Sequence, residues 1–123
     1  MAAGKYDMEI DQGSEYKLKI VLKNKDGSRK DLTGFTGKSQ IRKKPSATTV
    51  NGEFVITFIE PRINGEIELV LPASVSSAIK VGDTINDDKS QYVYDLEIYA
   101  PTTNVPLRVI DGLVRFSPEV TKQ

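Results

Sequence analysis

Along most of this chain apolar and polar residues alternate with a period of two, the spacing of a strand with one buried and one wet face. Tyr6, Met8 and Ile10 stand against Asp7, Glu9 and Asp11, and Gln12-Gly13 interrupts the run. Tyr16, Leu18, Ile20 and Leu22 then alternate with Glu15, Lys17 and Lys19, with Val21 as a lapse. Asn24-Lys25-Asp26-Gly27 reads as a turn, Asp-Gly being its strongest element. After Asp31-Leu32-Thr33-Gly34 a third strand sets Phe35, Gly37, Ser39 and Ile41 against Lys38, Gln40 and Arg42. Its small inward residues predict a neighbour that approaches closely. Segment 45–51 is a polar connection. In segment 53–60, Phe54, Ile56 and Phe58 share one face and Val55, Thr57 and Ile59 the other. Apolar residues on both faces predict a central or doubly covered strand. Asn64-Gly65 turns the chain into Ile67, Leu69 and Leu71, which alternate with Glu66, Glu68 and Val70 and complete a hairpin.

Segment 72–79 breaks this period. Val75, Ala78 and Ile79 fall at i, i+3 and i+4, and Ser74 is placed to cap, which predicts a short helical turn near 73–79. Such a turn can carry the chain from one sheet to another. Segment 80–90 is a polar loop with Gly82 and several acids. Tyr92, Tyr94, Leu96 and Ile98 then alternate with Val93, Asp95, Glu97 and Tyr99. A connection over 101–106 leads to the last strand, with Ile110, Gly112, Val114 and Phe116 on one face and Pro118 as its stop. Turn signals spaced this way predict an all-β protein, an Ig-like antiparallel β-sandwich of about seven strands. The Cys-Trp-Cys pattern of antibody domains is absent, so "Ig-like" refers to architecture alone. Residues 1–123 read as a single domain, with 1–5 and 118–123 as extended arms.

Composition narrows the chemistry. The 123 residues include no His, Cys or Trp. That removes the commonest general base, the thiol nucleophile and the best soft metal ligands. Disulfides are impossible, so packing and sheet hydrogen bonds must hold the fold. Lys plus Arg and Asp plus Glu both number 17, which gives zero formal net charge. Nucleic-acid backbone binding needs a surplus of cations and is not expected. No apolar run approaches the roughly 20 residues that span a bilayer, and the N-terminal residues show no secretory pattern. The sequence therefore predicts a soluble, non-enzymatic protein with no catalytic residue, no metal and no cofactor.

Several groups of residues are candidate sites. Asp83, Asp87 and Asp88 could gather a calcium ion, but their spacing is not that of an EF-hand, and a solvated loop accounts for them better. Arg42-Lys43-Lys44, with Lys23, Lys25, Arg29 and Lys30, could bind phosphate. A charged strand end that discourages edge pairing is the stronger reading. Asp95/Glu97 and Glu66/Glu68 each sit at i, i+2, as a glycosidase acid/base pair might, yet outward polar positions explain both. Ser74, Ser76 and Ser77 near Lys80 lack a nucleophile motif and read as capping or surface serines. Tyr92, Tyr94 and Tyr99 could form a stacking platform, but Tyr92 and Tyr94 share phase with Leu96 and Ile98 and so belong in the core.

Three segments resemble a known group. They are Asp31-Leu32-Thr33-Gly34-Phe35-Thr36-Gly37 running into Gln40-Ile41-Arg42, then Tyr92-Val93-Tyr94-Asp95-Leu96-Glu97, then the stretch from Gly112 through Ser117-Pro118-Glu119-Val120-Thr121. With the two opening strands, they resemble small structural proteins of tailed-bacteriophage virions, including the N-terminal β domain of upper-baseplate proteins. The resemblance implies an Ig-like sandwich without enzymatic activity, located in the virion, at the tail, baseplate or fibre-attachment region. Its partners would be other virion proteins and copies of itself, with no nucleic acid, membrane or small-molecule substrate. It implies Ile41, Tyr94 and Leu96 as core, and Gly34 and Gly112 at sites of tight backbone geometry. Segment 80–90 is longer than the link such proteins carry before this strand, which makes it a candidate contact loop. The alternatives are a capsid decoration or neck component, and a carbohydrate- or receptor-binding module.

Overall fold

The computed structural model describes residues 4–121. They form β1 (Gly4–Lys5), β2 (Met8–Asp11), β3 (Tyr16–Val21), β4 (Thr36–Arg42), β5 (Gly52–Glu53), β6 (Val55–Phe58), β7 (Glu66–Leu71), α1 (Ala73–Ala78), β8 (Gln91–Tyr99) and β9 (Pro106–Ser117). One sheet runs β9-β8-β4-β5, with β1 and β2 on the outer edge of β9; the other runs β3-β7-β6. These are the two sheets of an immunoglobulin-type Greek key, with β3, β7 and β6 as its B, E and D strands and β4, β8 and β9 as C, F and G. The all-β sandwich expected from the sequence is what the chain forms.

Three details depart from expectation. The sandwich is not wholly antiparallel, because β1 and β2 pair with β9 in parallel. The opening strand joins the far edge of β9 instead of lying beside β3, and there the two chains run the same way. Gly4 and Lys5 are therefore paired with Ile110 and Asp111 and do not form a loose arm. Secondly, the 53–60 run is not a central strand. Gly52–Glu53 pairs with β4 in one sheet and Val55–Phe58 with β7 in the other. Phe54, 5% exposed, is the residue at which the chain changes sheets. Apolar side chains on both faces mark that crossing, and β6 is an edge strand with Val55 53% exposed. Thirdly, α1 starts behind Pro72 with no side-chain cap, and Ser74 lies inside the helix.

The core lies between the sheets. Ile67, Leu69 and Leu71 of β7 face Leu96 and Ile98 of β8, Ile41 of β4, and Val114 and Phe116 of β9, all fully buried. Tyr94, Leu96 and Ile41 are core, as the resemblance implied. The small residues of β4 do admit a neighbour. A Cβ on Gly37 would lie 3.2 Å from Ile56 Cδ1, and Ser39 Oγ donates to the Asp95 carbonyl at 2.6 Å. Near the start of β8, Tyr92 Oη donates to the Lys80 carbonyl at 2.6 Å. That bond ties the strand back to the α1–β8 connection, as the tyrosine corner of Ig-type sandwiches does.

Candidate interaction site on the six-stranded sheet

Strand register arranges the outer face of the larger sheet into rows. One row runs Glu53–Gln40–Asp95–Asp111–Lys5, and the next Lys38–Glu97–Arg108. On the other side lies Arg42–Val93–Leu113. Apart from Glu53 and Lys38, these residues line an open groove of about 490 Å³ with an apolar patch at Val93, Leu113 and Pro45. No cleft at the Asp95/Glu97 pair is legible in the sequence; the pairing of distant strands builds it.

A bulge builds the charge pattern. The β8–β9 register slips between Leu96 and Glu97, so that Leu96 faces Ile110 while Glu97 faces Arg108. Val109 is the extra residue. Without it Arg108, three residues before Asp111, would point to the opposite face of the sheet. With it Arg108 reaches both aspartates, its Nε 3.6 Å from Asp95 and its Nη1 3.7 Å from Asp111. Lys5 Nζ approaches Asp111 at 2.5 Å. Those cations offset the repulsion between Asp95 and Asp111, which stand directly opposite each other. Burial holds the Asp95 carboxyl above its usual range, and Glu97 adds to this, while Arg108 pulls the other way. Asp7 accepts the Leu113 N–H at 3.0 Å, and Arg42 donates to the Ala47 carbonyl at 2.6 Å and to Gln40 at 2.9 Å. The result is a groove of alternating charge, suited to ion pairing with a polar protein segment. Sequence reasoning missed Arg108, Asp111 and Lys5. The signal available was Val109-Ile110, two adjacent apolar residues that break the alternation where the bulge lies.

The remaining candidates serve the fold. Asp87 accepts the Lys89 N–H at 2.9 Å and caps a short 3-10 turn, and this bond holds its carboxyl below the usual range. Among the described residues no group of three acids is placed to hold a metal ion. The basic triplet is dispersed. Arg42 faces the groove, while Lys43 donates to the Asp88 and Gln91 carbonyls at 2.6 and 2.8 Å and lies over the Tyr92 ring. These bonds, with Ser90 Oγ bridging Gly82 N–H and the Thr84 carbonyl, fasten the 80–90 loop to the body. Arg29 is engaged by the Asn64 carbonyl and by Glu66, which also pairs with Lys19 at 3.1 Å. Glu68 lies beside it in the pairing, opposite Lys19 and Thr57. Ser76 is neither a cap nor a surface residue. It is fully buried, accepts the Gly13 N–H at 3.0 Å and donates to the Ser14 carbonyl at 2.7 Å. Lys80 contributes its carbonyl to Tyr92. Tyr92 and Tyr94 are buried, and Tyr99 donates to Glu97 at 3.3 Å, so the three form no exposed platform.

Among the described residues no helix is long and apolar enough to cross a membrane. No protein-family model matches this chain, and no curated protein is significantly similar to it.

Proposed function

We propose that this chain is a non-enzymatic structural component of a tailed-phage virion, in the tail, baseplate or fibre-attachment region, working by protein–protein contact in a multi-copy assembly. The observation that carries the reading is how its reactive side chains are used. Lys43, Asp87, Ser76 and Tyr92, each a candidate for chemistry or binding, are held in hydrogen bonds that close turns and fasten loops. What remains open to a partner is a strand edge at β6 and a groove of alternating charge, both features of a surface made for neighbours. The virion setting is supported by the resemblance carried by segments 31–42, 92–97 and 112–121. In a symmetric array, individually weak contacts of this kind become cooperative.

The test is to co-express the chain with the products of its neighbouring genes and to image the purified assembly with an antibody against this chain. Label on tail or baseplate rings is the expected result. Label confined to the capsid or neck would move the chain to the decoration reading. A free monomer that binds glycans tightly or converts a substrate would end the proposal.

A further inference from the structure

The sandwich has several strand edges, and they are not equally protected. On β3 the edge carries Lys17 and Lys19, the usual guard against unwanted pairing. On β5 it is two residues long. On β6 no charged residue occurs from Phe54 to Ile59, and β6 pairs only with β7.

The direction of the free backbone groups on β6 follows from two hydrogen bonds. Ile59 N–H donates to the Glu66 carbonyl at 3.0 Å, and Phe54 N–H donates to the Ser39 carbonyl at 3.0 Å. Successive residues of a strand present their N–H and C=O to opposite sides. Val55, Thr57 and Ile59 therefore bond towards β7. Ile56 and Phe58 point theirs away from it, and those four groups have no partner among the described residues.

We propose that the β6 edge pairs antiparallel with the β6 edge of a second copy about a two-fold axis at Thr57, joining two three-stranded sheets into one of six. The register is selected by the chain itself. With Thr57 facing Thr57, Ile56 faces Phe58 of the second copy and Phe58 faces its Ile56. All four free groups are then satisfied in two hydrogen-bonded pairs. A slip of one residue would put Thr57, already bonded to β7, opposite Ile56 and would bring Glu53 against Glu60. In the two-fold register the outer face pairs Val55 with Ile59 of the second copy, flanking the Thr57 pair, and no like charges face each other. Aliphatic and Thr–Thr cross-strand pairs are favourable. The exposed Val55, 53% open in the single chain, is covered by this contact. The proposal rests on the assembly reading above and names one of its contacts.

The absence of cysteine makes the test clean. Across a non-hydrogen-bonded antiparallel pair the Cα atoms lie about 4.5 Å apart, within disulfide reach. Thr57→Cys should therefore oxidise to a dimer about tenfold faster than Lys19→Cys on the guarded β3 edge, because only the former is held at high effective concentration. Sedimentation of the wild-type chain should show a mass that rises with concentration. Thr57→Lys, at an outward and exposed position, should keep its unfolding midpoint and remain monomeric. Equal oxidation rates for the two cysteine variants, or a wild-type mass that stays monomeric to millimolar concentration, overturns the β6 contact. Neither result bears on whether the chain joins tail or baseplate rings, which is read through other proteins.

Discussion

At the scale of single residues, buried polar groups decide more than their number suggests. Ser76 is the hinge between α1 and the Gln12–Ser14 turn, through one accepted and one donated hydrogen bond. Ser76→Ala should cost about 1–3 kcal/mol, since it leaves the half-buried Gly13 N–H and Ser14 carbonyl without these partners. Urea unfolding measures this, and a change near zero would mean that water replaces the hydroxyl. Asp95 works in the opposite sense. Its carboxyl is held above the usual range mainly by burial, with Glu97 and Asp111 adding to it, so the folded chain binds this proton more tightly than the unfolded chain. Where pH lies above both values the charge is a net cost to the fold, and stability recovers as pH falls through that window. Asp95→Asn should therefore raise the thermal midpoint at pH 7, with the gain shrinking towards acid pH. A lower midpoint at pH 7 would show that the Arg108 ion pair outweighs burial.

At the scale of elements, the N-terminal strand depends on one glycine of β9. A Cβ on Gly112 would lie 2.2 Å from the Tyr6 carbonyl oxygen, the atom that accepts the Tyr94 hydroxyl. Gly112→Ala should push the segment joining β1 and β2 off the sheet at a cost of about 1–3 kcal/mol, the range for overpacking. Hydrogen exchange should show the Tyr6 and Leu113 amides losing protection while β4 and β8 keep theirs. Uniform loss would mean global unfolding instead. This need at Gly112 was legible from the sequence through the resemblance, as was that at Gly34, where φ is +79°. Strands with one wet face were legible for the same reason throughout: alternation in Tyr92–Tyr99 or Glu66–Leu71 records burial directly. Alternation does not record which sheet a strand joins. Phe54 looked like one more inward residue of a continuous strand, because a sheet crossing and a doubly covered strand both place apolar side chains on both faces. The groove was hidden for a related reason. Asp95 and Asp111 are far apart in sequence, and only the Val109 bulge turns Arg108 to their side.

At the scale of the whole molecule, no cross-link holds the two sheets together, so the contact between them carries the stability. Tyrosines from both sheets enter that contact. Tyr16 stands on β3 and packs against the core, while Tyr94 is buried on β8 and donates its hydroxyl to the Tyr6 carbonyl at 2.5 Å. Burial pushes Tyr16 up to about 12, helped by the hydrogen bond its phenol donates to Tyr6 and by the charge Tyr6 would carry. Burial pushes Tyr94 up as well, reinforced by Tyr16 and Asp7. In the unfolded chain both phenols titrate near their ordinary value, about 10. Below that pH both states keep the proton and the stabilisation is whole. Above it the unfolded chain releases protons that the folded chain still holds, so stability declines as pH rises from 10 towards 12. Urea midpoints across that range should fall, and Tyr16→Phe should fall less steeply than the wild type. The comparison cancels the surface charge that the two proteins share. Parallel slopes would place the alkaline weakness in surface charge, whereas a shallower slope for Tyr16→Phe locates it between the sheets, where packing alone keeps the sandwich closed.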